Sequence, residues 1–200
     1  MQFLADVSSE QGSSPSNLET GHEITRAPAR IMKSAYLRMG EPRTDTNPTD
    51  ANPTDELWMD EALRCAQRAL EENEVPVGAI VVREGVVVGR GWNRNLTHCD
   101  PTAHAEIVAL RDAGRNLGNH RLVDCELFAT IEPCAMCAGA AVHARVRRLV
   151  YGADDAKAGA IHSVLQVVNH PSLNHQMEVR GGVLAGRAAE MLQEFFRQRR

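Results

Sequence analysis

Three side chains of metal-binding type and one carboxylate stand at close spacing in this chain. His104 and Glu106 flank Ala105, and 28 residues after Glu106 come Cys134 and Cys137, directly behind Pro133. One imidazole and two thiolates fill three corners of a tetrahedral Zn²⁺, which leaves the fourth for a water that a nearby carboxylate can deprotonate. A dication with two thiolates and a neutral imidazole is net uncharged, so the hydroxide formed there stays nucleophilic. This is the layout of a hydrolytic metal site with His104, Cys134 and Cys137 as ligands and Glu106 as proton carrier.

Other uses of the same residues stay open at this point. A CxxC pair alone can be a redox couple, although thiol oxidoreduction gives no role to His104 or Glu106. A closed structural zinc site needs a fourth protein ligand, which Cys99 or Cys125 would supply.

The elements that must position these residues are legible from pattern. A helix opens at Thr54 or Asp55 as cap and carries Leu57, Ala62, Leu63, Ala66, Ala69 and Leu70 at helical spacing. Two β-branched runs, Val77 to Arg83 and Val86 to Gly91, meet at Glu84-Gly85 as a hairpin. Asp100-Pro101 predicts a helix start, and that helix carries His104 and Glu106. A strand over Glu126 to Thr130 runs into Glu132-Pro133, predicted to start a helix whose first turn holds both cysteines on one face. Such a start also favours thiolates through its partial positive charge. A strand over Arg147 to Tyr151 and a last helix from Val183 to about Arg199 complete an α/β sandwich with helices on both faces of one sheet.

Composition narrows the class. The 200 residues are 43% hydrophobic and 24% charged, enough for one core. No apolar run reaches membrane-spanning length and no signal-peptide pattern is present, so a cytoplasmic protein is expected. An odd count of five cysteines, two of them at metal spacing, fits a reducing compartment. Residues 1–54 are rich in Ser, Thr, Asn and Pro and nearly repeat TNPTD as ANPTD, so they are expected to form a disordered extension before a catalytic domain over 55–200. The piece from Ile24 to Met39 is a transient helix, a targeting element or sequence upstream of a later start.

Net charge is -4, yet residues 143–200 carry nine basic and five acidic side chains. Local potential rather than total charge steers a polyanion, so this basic quarter suits a phosphate chain. Aromatic residues are only 4%, so pocket shape and hydrogen bonds must select the base more than stacking does, with His98, His170 and His175 as partial substitutes.

At these residues the chain resembles the zinc-dependent cytidine and deoxycytidylate deaminase superfamily, whose signature is HxE followed by PCxxC. Within it, EVPVGA at 74–79, GWNR at 91–94, DPTAHAE at 100–106, EPCAMCAGA at 132–140 and Gly152 to Gly159 look like the bacterial tRNA adenosine deaminases. The likeness runs from about Asp55 to Arg200.

The resemblance implies a three-layer α/β/α cytidine-deaminase-like sandwich with a mixed central sheet, and one zinc per subunit of a homodimer. It implies hydrolysis of adenosine to inosine at the wobble position, position 34, of tRNA-Arg, with the anticodon stem-loop as partner. By position, Asn93 and the backbone at Ala105 hold the base, while Asp155, Lys157 and Asn174, the last in a loop over 169–175, contact the RNA. The segment DDAKAG at 154–159 departs from the family pattern, where a basic residue commonly precedes the second acid and threonine follows the lysine. Cys99 beside the site is also unusual, and a spectator role is expected for it. A free-base or nucleoside deaminase, for guanine or cytosine, is the nearest rival, and a non-catalytic zinc or RNA module is the next.

Overall fold

The computed structural model describes residues 53–199, and the expected disordered extension, with its Ile24–Met39 piece, lies outside the described residues except for Pro53 and Thr54. Those two open α1 (Pro53–Glu71), which is followed by β1 (Gly78–Arg83), β2 (Val86–Trp92), α2 (Ala105–Leu117), β3 (Cys125–Ile131), α3 (Ala135–Ala144), β4 (Arg148–Ala153), β5 (Glu178–Arg180) and α4 (Ala185–Arg197). The sheet order is β2-β1-β3-β4-β5. β1 runs antiparallel to both β2 and β3, whereas β3-β4 and β4-β5 are parallel, so the sheet is mixed.

Alternation along the strands assigns the two faces. Ile80, Val82, Phe128 and Val150 pack against Met59, Ala62 and Cys65 of α1 and Val183 before α4. Ala79, Val81, Leu127, Ala129, Leu149 and Tyr151 face Ala105, Ala109 and Ala113 of α2 and Ala138 and Ala141 of α3. Helices therefore cover both faces, as the three-layer expectation required. β1 is buried along almost its whole length because it has a neighbour on each edge and a helix on each face.

The β1-β2 hairpin turns at Glu84 and Gly85, both with positive φ (51° and 74°), the backbone that a two-residue turn matching strand twist demands. At the far end of β2, Gly91 lies so close to α2 that an added Cβ would sit 2.1 Å from the Ala105 carbonyl oxygen and 2.4 Å from the Ala109 nitrogen. The missing side chain lets the helix that carries the site rest directly on the strand.

Three sequence expectations shift. Asp100-Pro101 does not start a helix: the Asp100 carboxylate accepts the Thr102 N–H and hydroxyl, each at 2.7 Å, closing a local turn, and α2 begins later, at Ala105. Asp55 is no cap; its carboxylate is 2% exposed and pairs with Arg148. The edge strand β5 was not foreseen, since three residues are too few for a periodic signal.

Candidate active site

His104 is the N-cap of α2 and Cys134 is the N-cap of α3, both in extended backbone, and neither makes a side-chain capping hydrogen bond. Cys134 thus stands just outside the helix expected to contain it, and Cys137 sits in the first turn. An N-cap side chain ordinarily satisfies a free N–H of its helix. Here the two caps instead turn toward each other. The His104 Nδ1 lies 3.6 Å from Cys134 Sγ and 3.7 Å from Cys137 Sγ.

Those separations test whether a metal fits. Zn–S bonds near 2.3 Å and Zn–N bonds near 2.0 Å at tetrahedral angles place nitrogen and sulfur ligands about 3.5 Å apart. The donor set fits zinc. Hydrogen bonds from Cys137 and His104 pull the Cys134 thiol down to about 3, while the bond to Cys134 and burial push the Cys137 thiol up, so the two sulfurs lie close enough to share one proton. A dication would take the place of that proton and hold both as thiolates. Cys99 and Cys125 do not join this ligand group. Cys99 is exposed and directs its thiol to the Leu96 carbonyl.

Glu106 is 2% exposed in the first turn of α2. Burial pushes its carboxyl up, which suits a group that must hold and release a proton near neutrality. The first N–H of α2, at Ala105, is bonded by a residue from another element: Asn93 Oδ1 accepts it at 2.9 Å. Asn93 follows β2 and is only 8% exposed, so its side-chain amide is a built feature rather than a surface turn residue.

A cavity of about 940 Å³ opens over these groups, lined by Asn93, His104, Glu106 and Cys134 at its floor and by Asp155, Lys157, Phe196, Arg197 and Arg199 among the residues around it. Of the expected site residues, Ala105 and Cys137 are fully buried behind this lining, and Asn174 stands apart from it, exposed on the loop before β5, where Arg145 donates to its side-chain oxygen at 2.8 Å. His175 is likewise engaged, its Nε2 lying 2.7 Å from the Val146 carbonyl. The basic carboxyl-terminal residues divide in the same way. Lys157, Arg197 and Arg199 line the cavity, Arg197 while also pairing with Glu194 of α4, whereas Arg147, Arg148, Arg180 and Arg187 are spent on acids of the sheet and α1.

Sequence reasoning missed two buried carboxylates beside the cavity. Glu74 accepts the Thr97 N–H at 2.8 Å and its hydroxyl at 3.1 Å, holding the 95–99 turn. Glu132, 1% exposed, stands in the cavity wall itself. Burial pushes the Glu132 carboxyl up, but hydrogen bonds from the Ser163 hydroxyl and the backbone N–H groups of His162, Ser163 and Asp155 outweigh it and hold it at about 2. Their donors lie 23 to 31 residues away in sequence, so no local signal announces them.

The model for the cytidine and deoxycytidylate deaminase zinc-binding region matches residues 52–153, slightly more than half of the chain and all of the zinc-ligand set. The chain belongs to this deaminase family. The deaminase is 46% identical over 146 residues to the tRNA-specific adenosine deaminase of Haemophilus influenzae, covering 72% of this chain and 84% of that one. A solved structure from studies of A-to-I editing by tRNA:A34 deaminases at the wobble position of transfer RNA is 43% identical. It has a TM-score of 0.66, with 68% of this chain and 99% of that chain covered. The guanine deaminase from Nitrosomonas europaea superposes with a TM-score of 0.60 at 25% identity, covering 90% and 98%. The deaminase is therefore a hydrolytic enzyme of the zinc-binding family, and no described helix is long and apolar enough to cross a membrane.

Proposed function

We propose that this deaminase converts adenosine to inosine at position 34, the wobble position, of tRNA-Arg, releasing ammonia, in the cytoplasm, where both tRNA and reduced thiols are found. One observation carries the choice of RNA over a free base. The buried Glu106 carboxyl, His104 and Cys134 line one cavity with Lys157, Arg197 and Arg199, and cations around a buried acid suit a base presented on a phosphate chain. The relatives at 43 and 46% identity support the same reading.

His104, Cys134 and Cys137 would hold one zinc per chain, and that zinc would supply the positive charge that makes a water acidic near neutral pH. The remaining work belongs to the chain. Glu106 accepts one proton of the attacking water and delivers it to the purine ring nitrogen as the oxygen adds at C6, then carries the proton left on that oxygen to the departing amine, so that the C6 carbonyl forms as ammonia leaves. Asn93, whose Oδ1 is occupied by Ala105, keeps its amide donors for an acceptor on the base. The backbone at Ala105, between the lining residues His104 and Glu106, completes the pocket beside it when substrate enters. Asp155 and Lys157 contact the RNA at the rim; Asn174, displaced from the cavity, contacts a more distant part of the stem-loop.

The acting unit is a homodimer. α3 is apolar on nearly every side, and its small residues Ala140 and Ala144 border an open depression that Leu110 and Leu122 share with Arg111, Arg115 and His120, a mixed face that a second copy would cover. Turnover of an anticodon stem-loop, compared with free adenosine, cytidine and guanine, tests the assignment. Ammonia release from the stem-loop well above that from any free compound is expected, and faster release from guanine would reassign the enzyme to the free-base class.

A further inference from the structure

We infer that Glu132 is a positioning residue whose buried carboxylate fastens the Asp154–Ser163 loop to the cysteine-bearing turn, setting Asp155 and Lys157 at the cavity rim. The loop wraps the carboxylate from two sides. Glu132 Oε1 accepts the N–H groups of Ile161, His162 and Ser163 at 3.0, 2.9 and 3.0 Å. Oε2 accepts the Asp155 N–H at 3.1 Å and the Ser163 hydroxyl. Every one of these donors lies in the loop, and Glu132 itself stands two residues before the ligand Cys134.

Backbone contacts tighten the same junction. Ala160 N–H donates to the Pro133 carbonyl at 2.8 Å, and Cys134 pairs with Gly159 as an isolated bridge. A Cβ at Gly159 would stand 2.3 Å from Glu132 Oε2 and 2.6 Å from the Asp155 carbonyl oxygen, so the wrap closes only around a glycine. Downstream of the carboxylate, order passes along the loop. Asp155, fixed by its N–H, accepts the Lys157 and Ala158 N–H groups on Oδ1 at 2.9 and 3.2 Å. Glu132 thereby determines where an exposed lysine and its neighbours are held, although it does not reach the reacting atoms.

The two oxygens have separable duties, which makes Glu132→Gln informative. The amide oxygen can keep the three Oε1 contacts, while its NH₂ group then faces the Asp155 N–H, donor against donor. The Asp155 end of the loop is released and the Ser163 end stays.

The inference rests on the proposed RNA substrate only for its kinetic consequence, so the experiment has two arms. In zinc-loaded full-length protein, amide hydrogen exchange of Glu132→Gln is expected to quicken at Asp155, Lys157 and Ala158 and to stay near wild type in β3 and α3, with zinc content unchanged. With an anticodon stem-loop, KM is expected to rise about tenfold, the loss of one charge-assisted contact, while kcat falls far less. Ser163→Ala, a milder variant, is expected to shift the same amides by less. Wild-type exchange at those amides in both variants overturns the inference, as does a loosened loop that leaves KM unchanged. If wild type itself does not act on RNA, the substrate reading fails while the exchange arm still decides the role of Glu132.

Discussion

The side-chain carbonyl of Asn93 accepts the Ala105 N–H at 2.9 Å, so the residue after β2 holds the first turn of the helix capped by His104. One amide thus has two faces, an oxygen that organises the protein and a nitrogen that, in the proposed function, donates to substrate. Asn93→Ala should lose both, costing about 1 kcal/mol of stability as a lost helix-start contact and most of the activity. Asn93→Asp should keep the oxygen, remain near wild type in urea unfolding and still lose turnover. An active Asn93→Asp would remove the donor role.

Glu106→Gln separates proton transfer from metal binding. The variant is expected to retain one zinc per chain and to bind RNA, with inosine formation reduced by about 10² to 10⁴, the usual worth of a positioned acid-base group. Elemental assay and a single-turnover measurement check the two halves. Normal turnover contradicts the assignment.

Asp55 is 2% exposed and takes two bonds of 2.7 Å from Arg148 and one of 2.9 Å from Arg180, tying the start of α1 to β4 and β5. Removing one partner of such a pair leaves the other charge uncompensated, so Asp55→Ala should lower unfolding free energy by about 3 kcal/mol. A double-mutant cycle with Arg148→Met measures the coupling. Little change in either single variant would show that the pair is only decorative.

The rim cations predict a salt signature. Lys157→Ala, Arg197→Ala and Arg199→Ala should each weaken stem-loop binding and reduce the slope of log affinity against log salt by about 0.7, the value per phosphate contact on a single strand. Arg187→Ala, whose partner is Asp60, should leave the slope unchanged. Titrations at three or more salt concentrations distinguish the two groups.

The chemistry was more legible than the scaffold that presents it. His104, Glu106, Cys134 and Cys137 announce themselves because few other residue types can ligate zinc or carry its proton. Their exact placement was misread for a physical reason. Asp100-Pro101 and Glu132-Pro133 both look like helix starts, yet Asp100 spends its carboxylate on Thr102 and Glu132 spends its own on a loop far downstream, leaving His104 and Cys134 as the caps. Asp55 resembled a cap for the same reason, its partner Arg148 being 93 residues away. Asn174 was carried over by position, and the tie to Arg145 that places it outside the cavity leaves no trace in local sequence.

X-ray absorption at the zinc edge of purified, active protein tests the site most directly. Two sulfur and two lighter scatterers around one zinc per chain are expected, unchanged in Cys99→Ser and lost in Cys134→Ser. A third sulfur, a filled set of four protein ligands, or full activity with no metal would contradict the account.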